Sequence, residues 1–426
     1  QIPQESVAVT FKNYGVDVTN NIFSNWKNET FNTENIVSLN GLTQSYIAEL
    51  KTVDGFSNYA SYVAKLPYVD TIEMFNEWNH SGFSTLDQSA DGYLEYCKVA
   101  YPAIKAAAKE AGKDVTVLAG GCAGFAANWI ERFIKLGGLD YCDGLSYHPY
   151  QYRNFDYKTF VQQTQQVTKW MMDYHGSTKP ITLTEMGIPE ADDKETTNAG
   201  YEHWSKMRSL PGMYIMAQHM NAFDKIYYYC MHSTGYAPEE REPGFGLFEF
   251  VGNTQGNRLA ALDSAITFAA YMDKLTGATP GRKIEADDYT KLAYEFVKEN
   301  GEKIAALWSA NQHSTLGINL GVKEVKVYDQ FGNYKETLYS ENGCFDFDLT
   351  DEIVYIEGYF ADFAETKSKV TLSEGVIKGV IGDRVSFSVV DENKRNLKAE
   401  LDYDSDVFSF DYSDSAIDYL FVVQKL

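Results

Sequence analysis

Basic residues are the first shortage in this 426-residue chain: 37 Lys and Arg stand against 60 Asp and Glu, a formal net charge of −23. A charge of that sign repels a nucleic-acid backbone or an anionic membrane surface and favours a neutral or cationic partner. Long apolar runs are missing as well. No stretch approaches the ~20 residues a membrane-spanning helix needs, although 44% of the chain is hydrophobic, enough for a substantial core. Cysteine is sparse. Cys97, Cys122, Cys142, Cys230 and Cys344 are odd in number and show no CxxC spacing, which argues against a disulfide framework and a zinc site. No GxGxxG or GxxxxGKS/T segment follows a strand, so nucleotide-binding doubly wound folds lose their best support. Gln1-Ile2-Pro3-Gln4 has neither the basic start nor the apolar core of a secretion signal. Internal repeats and low-complexity tracts are absent too.

What is abundant is aromatic: 15% of the chain, with 31 Tyr and 25 Phe. Most such rings pack cores, but a Tyr excess also suits surfaces that stack on sugar rings. From residue 16 to about 278, short β-branched runs alternate with longer stretches of helical period, the pattern of parallel βα units. Strands are expected at 16–22, 71–77, 115–120, 144–148, 181–185 and 226–231, while 7–11 reads as the end of a helix. Helices are expected at 41–66, 88–111, 126–136, 158–174, 199–220 and 257–276. In the second of these Tyr93, Tyr96, Cys97, Ala100, Ile104 and Ala107 recur at helical spacing, with Gly112 as a stop. Beyond Gly277, Asn-Gly and Gly-Asn turns between alternating runs mark antiparallel hairpins.

Barrel enzymes carry their chemistry at the carboxyl ends of strands. Two expected strands end in glutamate, Glu77 in TIEMFNEWN and Glu185 in ITLTEMG. Alternation along the first sends Glu73, Phe75 and Glu77 to one side; in the second, Gly187 lets the backbone turn sharply afterwards. A single strand-end glutamate is ordinarily a solvated charge or half of an ion pair. Two that converge have a specific use: one attacks an anomeric carbon while the other protonates the leaving oxygen, and a separation of ~5–5.5 Å means retention of configuration.

Asn76-Glu77 after an apolar strand, with Glu185 three strands later, resembles the acid/base and nucleophile signature of clan A glycoside hydrolases. Phe75-Asn76-Glu77-Trp78-Asn79-His80 further resembles the WNEPN or WNEPD segment of family 39, with Phe for the leading Trp and Trp for Pro. The resemblance implies a retaining hydrolase on a (β/α)8 TIM barrel, with Glu77 as acid/base and Glu185 as nucleophile. Asn76 would bind the substrate 2-hydroxyl. In His148-Pro149-Tyr150, His148 would contact the sugar and Tyr150 would hydrogen-bond Glu185. Tyr229 would supply the aromatic platform, with Trp78, His80 and Trp26 as rim contacts, and the segment 236–251 would form a wall or cover the rim.

In that clan the acid/base follows the fourth strand, so this barrel is expected to lack its first two βα units, with further chain of the same protein upstream. The domain reading is 1–278 for the barrel, 279–363 for an antiparallel β-sandwich module packed on it, and 364–426 for an additional small β domain. No metal or organic cofactor is called for, since two carboxylates suffice. The implied partner is a carbohydrate, a polysaccharide or glycoconjugate, and the implied location is extracellular or cell-surface. Two other classes compete: a non-catalytic carbohydrate-binding or surface-assembly protein on a barrel scaffold, which the missing strands would favour, and a phosphate-handling barrel. The second lacks both a Gly-rich phosphate loop and a strand-end Schiff-base lysine.

Overall fold

The computed structural model describes residues 7–12, 52–67, 69–81, 86–151, 155–189, 205–235, 241–250, 260–310, 313–366, 370–372, 384–391, 396–397, 408–411 and 418–423. The expected strand at 16–22 and Trp26 lie outside them. The chain divides into two compact units, residues 1–203 with 221–259, and residues 204–220 with 260–426.

The first unit is built on six parallel strands in sequence order: β1 (Val7–Lys12), β2 (Val69–Asn76), β3 (Thr116–Ala123), β4 (Gly144–His148), β5 (Ile181–Met186) and β6 (Phe223–Tyr228). Residues 7–12 are therefore a strand paired in parallel with β2, and not the end of a helix. Its alternating Val7, Val9 and Phe11 suit a strand as well as a helix terminus, and only the partner decides. Among the described residues β1 and β6 are the two edges of the sheet, so it is an open, barrel-like sheet. Among the described residues of this unit, helices cross between strands at α1 (Val53–Ala64), α2 (Ala90–Glu110), α3 (Ala127–Lys135) and α4 (Tyr157–His175).

Local chemistry sets their limits. Thr52, Ser89 and Asp156 cap the starts of α1, α2 and α4 by accepting hydrogen bonds from amides of the first turn. Gly112 and Gly176, at φ +72° and +80°, stop α2 and α4. The buried stripe of α2 includes Tyr93, Cys97, Ala100, Ile104 and Ala107, and all but one residue of β2 are buried, as befits a parallel strand covered on both faces.

The second unit holds α5 (Ser205–Met220) and α6 (Asp263–Leu275) together with the antiparallel sheets. One sheet runs β12-β11-β14-β9-β8-β7, with β7 (Thr279–Glu285), β8 (Leu292–Val297), β9 (Lys303–Trp308), β11 (Glu324–Tyr328), β12 (Tyr334–Tyr339) and β14 (Val354–Gly358). The other joins β13 (Cys344–Leu349), β10 (Ser314–Asn319) and β15 (Ala364–Thr366). Leu307, Val325 and Ile356 from the first and Leu316, Ile318, Phe345 and Phe347 from the second share one core, which makes a sandwich. The β8/β9 and β11/β12 hairpins turn through Gly301 and Gly332, at φ +81° and +80°. α5 is tied to the end of α6, where its Gln218 amide donates to the carbonyls of Leu275 and Ala278 at 3.0 and 2.9 Å. Near the chain end β16 (Val370–Leu372), β17 (Arg384–Asp391), β18 (Asn396–Leu397), β19 (Phe408–Asp411) and β20 (Asp418–Val423) form a further antiparallel sheet. All five cysteines are free thiols, and no described helix is long and apolar enough to cross a membrane.

Candidate active site

The site grows from an irregular end to β2. Phe75 and Glu77 both have positive φ, +71° and +48°, a conformation that costs a side-chain-bearing residue of order 1–3 kcal/mol and persists only where its surroundings hold it. The hold comes from β3. The Glu77 amide donates to the Gly121 carbonyl at 2.6 Å, and the Asn79 side chain exchanges two hydrogen bonds with the Ala123 backbone, at 2.9 and 3.1 Å. Gly120 and Gly121, at φ +120° and +49°, allow this approach: a Cβ on Gly121 would stand 2.6 Å from the Phe75 carbonyl oxygen, and one on Gly120 2.2 Å from that of Ser146. Gly121→Ala should therefore lower stability by about 2–4 kcal/mol, against about 1 kcal/mol for Gly112→Ala, in urea unfolding. The control residue shares the positive φ but has nothing within 4 Å of its added Cβ.

The turn at Phe75 breaks the expected alternation. Its ring stacks on Phe56 at 4.0 Å and meets Trp78, Tyr93 and Tyr96 edge-on, while Glu73 goes to the opposite side, toward β5. Trp78 belongs to the same aromatic cluster. It is fully buried and its indole N–H donates to the Asp87 carbonyl, so it is a core residue and not a rim contact. His80 is exposed on the loop after Glu77, and Asn76 is buried at the end of β2.

The strand ends bring Glu77 and Glu185 together around His148. One oxygen of each carboxylate and a ring nitrogen of His148 all lie within 4.8 Å of one another. His148 Nδ1 is 3.0 Å from Glu77 Oε1 and 3.7 Å from Glu185 Oε2, and its Nε2 is 3.0 Å from the Thr184 hydroxyl. With no exposed surface and both nitrogens engaged inside the protein, His148 is not placed to touch a sugar. Its task is internal. Tyr150 donates its hydroxyl to Glu185 Oε2 at 3.1 Å. Tyr229 stands edge-on to Tyr150 with ring centres 6.2 Å apart, and burial followed by the nearby Glu242 carboxylate pushes its phenol up to about 12.

Electrostatics follow from this crowding. Burial pushes the Glu185 carboxyl above its ordinary range, the negative Glu77 and Glu73 add to that, and His148 and the Tyr150 hydroxyl pull the other way. Burial would lower His148, but the Glu77 hydrogen bond and the charges of Glu185, Glu73 and Glu77 outweigh it and leave the imidazole above its usual value. Among the described residues, Glu77, His148 and Glu185 are also the group whose atoms are near enough to share a cation.

Sequence reasoning gave no role to Glu73, Thr184 or Phe245. Glu73 is 2% exposed and accepts a hydrogen bond from the Thr184 hydroxyl at 2.5 Å. The legible signal was a carboxylate inside an otherwise apolar strand. Phe245, from the segment 236–251, packs edge-on against Tyr150 and Tyr229 at 5.5 and 5.4 Å, so its described part, 241–250, walls the site. Gly187 serves this packing rather than a sharp turn: its φ is not positive, and a Cβ there would lie 2.1 Å from the Tyr229 carbonyl oxygen.

No protein-family model and no curated protein matches the sequence. Solved structures do match in fold. A family 39 glycoside hydrolase from the gut symbiont Bacteroides cellulosilyticus WH2 superposes with a TM-score of 0.58 at 18% identity, over 74% of this chain and 62% of that one. The fold is one that glycoside hydrolases share. A glucosidase from Croceicoccus marinus gives 0.52 at 14% identity, over 72% of this chain and 74% of its own. The clan A likeness first visible around Asn76-Glu77 thus extends to the architecture, and this chain spans under two thirds of the family 39 protein.

Proposed function

We propose that this chain carries the active centre of a retaining glycoside hydrolase acting on a polysaccharide or glycoconjugate outside the cell. The observation that carries the reading is the pair of carboxylates, Glu77 and Glu185, with oxygens within 4.8 Å of each other at the ends of strands three apart. Such a gap suits direct attack on the sugar by one carboxylate; an inverting pair needs ~6.5–9.5 Å to admit a water.

Glu185 attacks the anomeric carbon as the Glu77 proton passes to the departing glycosidic oxygen, leaving a glycosyl ester on Glu185. Glu77, now a carboxylate, takes a proton from water, whose oxygen displaces Glu185 and restores the starting state. The Tyr150 hydroxyl favours the ionised nucleophile against burial, which disfavours it. Asn76 binds the 2-hydroxyl of the sugar, Tyr229 and Phe245 line the aromatic wall, and His80 lies on the loop at the rim.

The reading is tested by incubation with a panel of activated 2-deoxy-2-fluoro glycosides, which slow breakdown of the ester. One sugar mass added to the peptide containing Glu185 is the expected result. A product released with inverted anomeric configuration, or a label on another residue, would overturn it.

A further inference from the structure

Glu73 is a carboxylate buried in the middle of the sheet, and a buried charge is costly unless hydrogen bonds satisfy it. One of its partners is the Thr184 hydroxyl, which donates to Oε1 at 2.5 Å. Threonine has a single O–H. With that hydrogen engaged by Glu73, the Thr184 oxygen meets His148 Nε2, 3.0 Å away, as an acceptor. Nε2 therefore carries a hydrogen, and the other nitrogen, Nδ1, is left facing Glu77 Oε1 at 3.0 Å.

We propose that Glu73 is a positioning residue which, through Thr184, fixes the Nε2–H form of His148 so that the contact between Nδ1 and Glu77 holds one transferable proton. With Nε2–H fixed, a neutral ring has a bare Nδ1 that can only accept, so Glu77 supplies the O–H and is in its acid form. When that proton has passed to the departing glycosidic oxygen, Glu77 is a carboxylate beside the bare Nδ1, its base form, and the proton it then takes from water refills the contact. These are the two states that the double displacement asks of Glu77, and in this respect the inference rests on the proposed function. In the competing form, a neutral ring with Nδ1–H, the bond to the Glu77 carboxylate is satisfied without any acid proton. Two acceptors would then meet at Nε2 unless Thr184 swung its O–H away from Glu73, which would cost a buried carboxylate one of its hydrogen bonds.

The other ionisable groups around the ring do not set its tautomer. Glu185 on β5 approaches Nδ1 at 3.7 Å, Tyr150 after β4 is committed to Glu185, and Tyr227 on β6 feels Glu73 from a distance. Cys122 on β3 is a buried thiol that burial, then Glu73 and Glu77, push upward, so it stays neutral.

Thr184→Val keeps the shape of the side chain and its preference for strands while removing the hydroxyl, and Thr184→Ser returns it; Thr184→Ala replaces the first should it misfold. Removing the acceptor at Nε2 should move the basic limb of kcat/KM down by about one pH unit, a tenfold change in the protonation equilibrium, with KM within about twofold and the Ser variant restored. Imidazole 15N shifts of the full chain labelled at histidine should show Nε2–H for His148 in the wild type and the Ser variant, and Nδ1–H after Thr184→Val. A His148 that keeps Nε2–H in the Val variant overturns the proposal whether or not any glycoside is cleaved, as does a uniform loss of kcat with no movement of the limb. The expected shifts in a chain that hydrolyses nothing would uphold the relay and count against the glycosidase reading alone.

Discussion

Glu185→Gln abolishes turnover of an aryl glycoside, by about a thousandfold or more in kcat, while leaving a folded protein that binds the same substrate. The amide occupies the same space and still accepts a hydrogen bond from Tyr150, but it has no anionic oxygen with which to form the ester. Activity near the wild-type level would remove Glu185 from the mechanism. The same substitution should raise thermal stability at neutral pH. The folded-state pKa of Glu185 lies above its ordinary value, so the folded chain is less stable than it would be without that shift once pH rises through the raised pKa. Below the ordinary carboxylate pKa the group is protonated in both states and the handicap vanishes. The gain in melting temperature is therefore expected at pH 7 and absent near pH 3. A variant whose melting temperature equals that of the wild type at both pH values would mean that burial and the neighbouring carboxylates do not burden this site.

Glu77→Ala separates the two half-reactions. Substrates whose leaving group needs a proton should lose about 10²–10⁴-fold in kcat/KM, while those with a strongly acidic phenol, which departs unaided, should lose far less. The ester then accumulates because no base activates water, and azide, small and already anionic, should enter the vacated space and release a glycosyl azide with retained configuration. Equal losses for both substrate classes and no azide product would take the acid/base role away from Glu77. This variant removes the partner of His148 Nδ1, so the pH dependence of the azide reaction should also lose its basic limb.

The elements that carry these residues were legible because their patterns are strong. The strand 144–148 matches its expectation at both ends, and the strands at 71–77 and 181–185 differ from it by one or two residues. Apolar runs bounded by polar turns leave little freedom there. The convergence of Glu77 and Glu185 followed from strand order alone, since parallel neighbours paired in sequence put both at the same end of the sheet. What stayed hidden depends on contacts between strands. Nothing in TIEMFNE announces that Phe75 takes a positive φ; the reason lies in Gly121, 46 positions later in the chain and pressed against the Phe75 carbonyl. Once that bend is in place Trp78 swings into the core cluster with Phe75 and Tyr93, which a rule of alternation cannot foresee. The depth of His148 was hidden for a related reason. A histidine at a strand end says nothing of depth, and only Glu77 and Thr184, from two other strands, reveal that both its nitrogens are occupied.

The parallel order of the sheet also bears on how this centre comes into being. His148 meets Glu77 across 71 residues of chain, and Thr184 meets Glu73 across 111. Each intervening crossover closes a long loop, whose entropy is lost before the distant contact returns anything. Helices such as α2 and α4 can form from neighbours alone, but the relay can exist only after β2, β3, β4 and β5 have all found their places. The proton that Glu77 uses is in this sense a product of the assembled sheet, held nowhere in the chain until β5 has docked.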